Sequence, residues 1–352
     1  MTLGALALLA LLRIRDGMGR ECRARDGHCS LFWSWSSGSS AIRRLLQGYW
    51  SSASLNWKQG TPDIVTFEEM KKEIFNQIVQ LIASARGPHT CRTTMTELQK
   101  TFQDVPFHTL RSILSQEICR KMRFAHSRHK SRGDEYLQHY MDERGPSQTT
   151  LVSMAAEIGL SPALLARVIL EAFLRSKEKD LDGEGSLSKF ITKLLRDTTL
   201  IEDRQLAVDV HYCVLVDDQY GPLADAINHS LGQQYEHSLS LQLSERNIPF
   251  LTEDQMRNLG MDKTPDIKLE VPIAVNGFII HWIESKALFG SEEWHDKYVK
   301  KQLSTYWNRY GPGMVVYWFD FVDSLQVMHE KHLLVANCLP PNIVMMDPQI
   351  RP

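Results

Sequence analysis

The chain has 352 residues, 43% of them hydrophobic and 23% charged, with a formal net charge of −2. That length allows two domains with ample cores, and near-neutrality excludes a global basic field, so nucleic-acid binding would need local patches. The six cysteines (Cys22, Cys29, Cys91, Cys119, Cys213, Cys338) have no paired spacing, which excludes a disulfide framework and suits a reducing compartment.

Residues 1–60 stand apart. The apolar run Leu3–Leu12 is shorter than the ~20 residues a bilayer span needs. Arg13 and Arg15 follow the run, whereas a secretory signal places its charge before it. Arginine content and Ser34 to Ser40 suggest a transit peptide, but Asp16, Glu21 and Asp26 oppose it. Cys22, His28 and Cys29 lack the second pair that would complete a metal site. Disorder is expected here, in an alternative first exon or an inaccurate gene model.

Residues 61–200 read as an all-α region. Thr66-Phe67-Glu68-Glu69 has the pattern of a capping box, and Ile74, Ile78, Leu81 and Ile82 form an apolar stripe behind it. Leu98, Phe102, Pro106, Arg111, Ile113 and Leu114 recur 56 residues later as Met154, Ile158, Pro162, Arg167, Ile169 and Leu170. Each copy predicts a helix-turn-helix, the second with a turn glycine (Gly159) and a Ser161-Pro162 helix start. Residues 111–133 hold seven bases (Arg111, Arg120, Lys121, Arg123, Arg128, Lys130, Arg132) against Glu117, a candidate phosphate-contacting run. Such units also serve as plain scaffolds, and charge runs are usually solvated faces. Lys177 to Ser188 reads as a charged linker whose acids do not fit a calcium loop.

Residues 201–352 read as an α/β domain. Leu223 to Leu243 is helical, with Gly232 and Glu236 inside it. Asp266 to Val271 alternates as a half-buried strand, Asn276-Gly277 is a tight turn, and Phe278 to Ile283 is a buried strand. Asp266 thus opens one strand while Glu284 and Lys286 end the next, on one face of it because side chains alternate. A strict two-residue turn puts Asp266 opposite residue 287, on the wrong face; one extra residue, at a bulge near Pro272 or in a three-residue loop, would correct this. Converging carboxylates can hold Mg²⁺ or Mn²⁺, and a nearby lysine can orient water for phosphodiester hydrolysis. Glu292 to Tyr310 predicts an amphipathic helix, with Gln302 and Tyr306 sharing a face, as do Lys297 and Lys301. For Trp294 and Trp307 core packing is favoured. Gly311-Pro312-Gly313 stops that helix, and Met314 to Phe321 is a strand. His329 and His332 read as surface residues. There is no P-loop, Gly-x-Ser-x-Gly or dinucleotide fingerprint.

Pro265-Asp266, Glu284-Ser285-Lys286, the upstream helical Glu236 and the downstream Gln302 and Tyr306 together resemble the PD-(D/E)xK nuclease superfamily. Asp262 to Asp266, His281 to Ala287 and Tyr306 to Gly313 are more closely similar to its codanin-interacting branch in animals, over residues 61 to 347. The resemblance implies a restriction-endonuclease-like core with a mixed sheet behind the helix-turn-helix region. It implies Asp266, Glu284 and Glu236 around the metal, Lys286 as the catalytic lysine, and Gln302 and Tyr306 at the substrate. Lys297, Lys301, Arg120, Lys121 and Arg123 are candidate nucleic-acid contacts, with DNA the favoured partner and no membrane. It further implies codanin as a partner, residence in nucleus and cytoplasm, and a link to histone supply, erythroid nuclear maintenance and congenital dyserythropoietic anaemia type I. The alternatives are a non-catalytic adaptor that binds codanin with a nuclease fold, or a transcription-factor-like DNA binder.

Overall fold

Alternating apolar residues, interrupted once, build the central sheet. In the computed structural model the described residues are 69–84, 91–145, 150–177, 184–327 and 331–346. The capping-box residues 66–68, the cysteines and histidine near residue 28, and His329 lie outside them. Strands β1 (Phe250–Thr252), β2 (Ile267–Val275), β3 (Phe278–Lys286), β4 (Gly313–Tyr317) and β5 (Leu333–Ala336) lie side by side in chain order, and β6 (Ile343–Met345) also pairs with β2. The pairings of β2 with β1, β3 and β6 are antiparallel, and β3, β4 and β5 run parallel, so the sheet is mixed as expected.

The β2–β3 hairpin keeps its two-residue turn: Val275 pairs with Phe278, and Asn276 and Gly277 take positive φ of 50° and 81°. Beyond the turn the register shifts. Ile273 pairs with Ile280, but Lys268 pairs with Trp282. The bulge lies where Pro272 predicted it, yet it is larger, with residues 269–272 facing the single residue His281. An odd shift of three has the same parity as a shift of one, so Asp266 still arrives on the face of Glu284. The His281 amide faces away from β2 and donates to the Pro312 carbonyl at 2.9 Å, extending the β3–β4 pairing beyond Ile283 and Met314.

Helices cover both sheet faces. α9 (Pro222–Glu245) buries Leu239 and Leu243 on Ile267, Ile283, Met314 and Val316. The other face carries α11 (Glu292–Tyr298) and α12 (Ser304–Tyr310), together with α1 (Lys72–Ser84), α2 (Cys91–Thr101) and α3 (Phe107–His129). The stripe Ile74, Ile78, Leu81 and Ile82 packs there, as its spacing predicts. α11 and α12 are not the uniform α-helix expected over 292–310, because a π-turn, Val299–Leu303, joins them. β4 ends at Tyr317, short of the expected Phe321.

A second core belongs to α4 (Gly133–Glu143), α5 (Thr150–Ile158), α6 (Pro162–Ser176), α7 (Glu184–Arg196) and α8 (Arg204–Val216). α7 begins at Glu184, inside the segment read as a linker. α5 and α6 meet at 107° across Gly159, whose φ is +70°. Most of α6 is buried, Leu165, Ile169 and Leu170 completely, so no face of it is left for a DNA groove. In the first copy, Leu110, Ile113 and Leu114 bury the N-terminal half of α3 on the sheet side, leaving only its C-terminal half accessible. No single described helix is long and apolar enough to cross a membrane. Cys119, Cys213 and Cys338 are free thiols.

Candidate active site

The site forms where the bulged hairpin ends. Asp266 precedes β2, and its Oδ2 accepts from the Ser285 amide at 2.7 Å, which clamps it across the strand pair. The Asp266 amide donates to Glu284 Oε2 at 3.3 Å, and Lys286 Nζ donates to Glu284 Oε1 at 2.6 Å. Glu284 is 2% exposed, a buried charge that requires a partner. Burial, and then Glu284, hold the Asp266 carboxyl well above the usual carboxylate range, with Lys286 opposing. Burial alone would lower the Lys286 ammonium, but Glu284 and Asp266 outweigh it and keep the lysine charged.

Two repelling carboxylates with an all-oxygen donor set could hold a hard divalent cation, which would offset the repulsion that raises Asp266. Among the described residues no three His, Cys, Asp or Glu side chains gather at ligating distance. Glu236 therefore stands beside the pair as a neighbouring charge. Its carboxyl is raised by burial and by Glu253 and Glu284, and lowered by Lys286. α9 is tied to the strand end through Tyr235, whose ring packs at a tilt on Trp318 (5.2 Å between centroids), and the Trp318 indole donates to Ser285 Oγ at 2.8 Å.

Tyr306 is 4% exposed and meets Trp282 edge-on at 5.4 Å; burial, Glu284 and Asp266 raise its phenol. Gln302 is half-buried within the π-turn, so its relation to Tyr306 is not that of a plain α-helix. Lys297 pairs with Glu293 at 2.5 Å and lies over the Trp294 ring, while Lys301 is exposed. Arg120 pairs with Glu117, Lys121 donates to the Ile82 carbonyl, and Arg123 reaches Glu293 at 3.7 Å; these bases lie on α3, outside the carboxylate cluster. Trp307 is half-buried and stacks on the exposed ring of His332.

A family described as a protein of unknown function with a TPD sequence-motif matches residues 202–339, the span holding Thr264-Pro265-Asp266. CDAN1-interacting nuclease 1 of Xenopus laevis is 40% identical over 281 residues, which is 79% of this chain and 90% of that protein. Its namesake in Danio rerio is 40% identical over 288 residues, covering 81% and 94%. That in Homo sapiens is 39% identical over 279 residues, covering 78% and 97%. The chain belongs to the CDAN1-interacting nuclease 1 family. No solved structure matches it.

In this member of the CDAN1-interacting nuclease 1 family, Thr264 opens the Thr-Pro-Asp motif, whereas Glu253, Arg257 and Tyr298 near the site carry no sequence pattern that singles them out. Thr264, 5% exposed, donates from its hydroxyl to Glu253 Oε1 at 3.2 Å. The Glu253 amide donates to the Asp266 carbonyl at 3.1 Å, and its carboxylate holds Arg257 at 2.7 Å. Tyr298 lies with its ring centroid 5.1 Å from Lys286 Nζ. The apolar strand preceding Glu284 was the one available cue to its burial.

Proposed function

We propose that this chain is a metal-dependent nuclease of the PD-(D/E)xK type, hydrolysing nucleic-acid phosphodiester bonds, and that it partners codanin. The observation that carries this reading is the odd register shift, which puts Asp266 in contact with Glu284 and Ser285 beside the charged Lys286. Asp266 and Glu284 would hold Mg²⁺ or Mn²⁺, with Glu236 tuning the charge around them. Such an ion, when bound, supplies Lewis-acid activation of water and neutralises phosphate charge. Lys286 stays protonated between the carboxylates and orients the attacking water by donating to it. Tyr306 and Gln302 border the substrate backbone, and the exposed bases of α3 contribute salt-sensitive phosphate contacts. The helix-turn-helix pairs serve as scaffold in this reading. The relatives' names support the codanin partnership; nuclear and cytoplasmic residence and a link to histone supply and erythroid nuclear maintenance accompany it.

One observation favours the adaptor reading: only two carboxylates converge among the described residues. Cleavage of labelled DNA and RNA structures with Mg²⁺, Mn²⁺ or EDTA separates the two. The wild type should cleave only with metal, and Glu284→Gln should lose cleavage while keeping its melting temperature and its capture of codanin. No cleavage with either metal, or equal cleavage by both proteins, would leave the adaptor.

A further inference from the structure

The C-terminal half of α3 carries a surface that the carboxylate site does not use. Phe124 is 68% exposed, while Met122 and Ala125 beside it pack on the helical core. Arg120 and Phe124 are four apart, Arg120 and Arg123 three apart, and Phe124 and Arg128 four apart, so the four share the outward face. The same face, further back, fixes where the stripe points. Gln116 donates to the Phe289 carbonyl at 2.6 Å and accepts from the Ser291 hydroxyl at 2.7 Å. Two turns on from Gln116, Arg123 reaches Glu293. Glu293 also holds Lys297, whose ammonium lies 4.4 Å from the centre of the Trp294 ring, and the next residue, Tyr298, covers Lys286. Cations and aromatic rings therefore line a path from Phe124 to Lys286, with Glu293 set between Arg123 and Lys297.

We propose that this track binds a single-stranded nucleic-acid tail, with Phe124 stacking a base and Arg123, Arg128 and Lys297 meeting phosphates; its direction toward Lys286 rests on the nuclease reading above. A single strand offers both phosphates and free base faces, which matches cations and rings along one path. A duplex hides its base faces in the stack, so an exposed phenylalanine would gain nothing there. Residues 111–133 hold seven bases against one acid, and although Arg120, Arg123 and Arg132 pair with Glu117, Glu293 and Glu135, the excess of cations favours an anionic occupant. Neither stacking nor phosphate contact reads the 2′-hydroxyl, so DNA and RNA single strands should bind alike.

The test is fluorescence anisotropy of the full chain in EDTA, with labelled oligothymidylate, oligouridylate and a blunt duplex. Both single strands should bind more tightly than the duplex. Phe124→Ala should weaken single-strand binding about 5- to 100-fold without changing the salt slope, and Phe124→Trp should restore it. Arg123→Gln should lower the salt slope by about one. Equal binding of duplex with no effect of Phe124→Ala would overturn the proposal, as would binding of an acidic peptide but no oligonucleotide. Intact single-strand binding without metal-dependent cleavage would fail the nuclease reading alone; cleavage indifferent to Phe124 and to single-stranded tails would fail this one alone.

Discussion

Asp320 shows how a single side chain ties stability to pH. It follows β4 at a φ of 72°, and its Oδ1 accepts from the Phe321 amide at 2.8 Å. Burial pushes its carboxyl up to about 6 from an ordinary 3.8, against the lowering hydrogen bonds from Phe321 and Asn337. Below the lower value both folded and unfolded chains hold the proton. Between the two values the unfolded chain releases it first, so stability falls as pH rises, by about 1–2 kcal/mol after allowance for solvent screening. Asp320→Asn keeps a residue that tolerates positive φ and cannot ionise. Urea midpoints from pH 4 to pH 7 should therefore decline less in the variant, which should be the more stable protein at pH 7. The proposed site residues differ from Asp320 in being legible beforehand. Period-two alternation places Glu284 and Lys286 together whatever the rest of the fold does. Glu253 and Tyr298 were not legible, because each acts through a partner (Thr264, Lys286) that only the folded chain supplies.

At the scale of elements, the π-turn explains why Tyr298 and Tyr306 both serve one site. In an α-helix eight residues turn through about 800°, leaving the two about 80° apart; seven residues leave about 20°. The π-turn at Val299–Leu303 absorbs one residue and so restores a common face. Deleting the exposed Lys300 should let the helix close as a plain α-helix with both tyrosines still facing the strands. The expected result is an unchanged or raised melting temperature with reduced cleavage, because Gln302 loses its present placement. The hydrophobic pattern did not reveal the turn, because the buried His295, Val299, Leu303 and Tyr306 are spaced as in a plain α-helix. The bulge was legible because Pro272 has no amide to donate and Asp266 needed an odd shift; its size was not, because one extra residue and three have the same parity. Gly313 is a stricter constraint. A Cβ there would lie 2.1 Å from the Trp282 ring, which is fully buried and supports Tyr306. Gly313→Ala should cost about 1–3 kcal/mol, read as a lower melting temperature, and disturb Tyr306 along with it.

At the scale of the molecule, the helix-turn-helix repeat suggested two equal units in one helical region, and the packing divides them. The first copy joins the sheet core through Leu98, Leu110 and Ile113, while the second builds a separate core around Leu165 and Ile169. Sequence similarity between the copies could not show this, because their apolar spacing is identical and only the partner differs. α3 bridges the cores, with Ile113 in one and Met122 against the other. The tryptophans of the described residues (Trp282, Trp294, Trp307 and Trp318) all lie beside the sheet, and residues 136–216 contain none. With Trp33, Trp35, Trp50 and Trp57 replaced by phenylalanine, indole fluorescence reports the sheet core, and far-ultraviolet circular dichroism is weighted to the helices. Leu165 is fully buried, so Leu165→Ala should remove about 2–5 kcal/mol from the helical core. If α3 is a loose bridge, the dichroism transition moves to lower temperature while the fluorescence transition and the cleavage rate below it stay in place. We expect that separation, because α3 presents only partly buried residues, Met122 and Ala125, to the helical core. Coincident shifts in both probes would instead make α3 a rigid strut, through which a partner gripping the helical core could act on the carboxylate site.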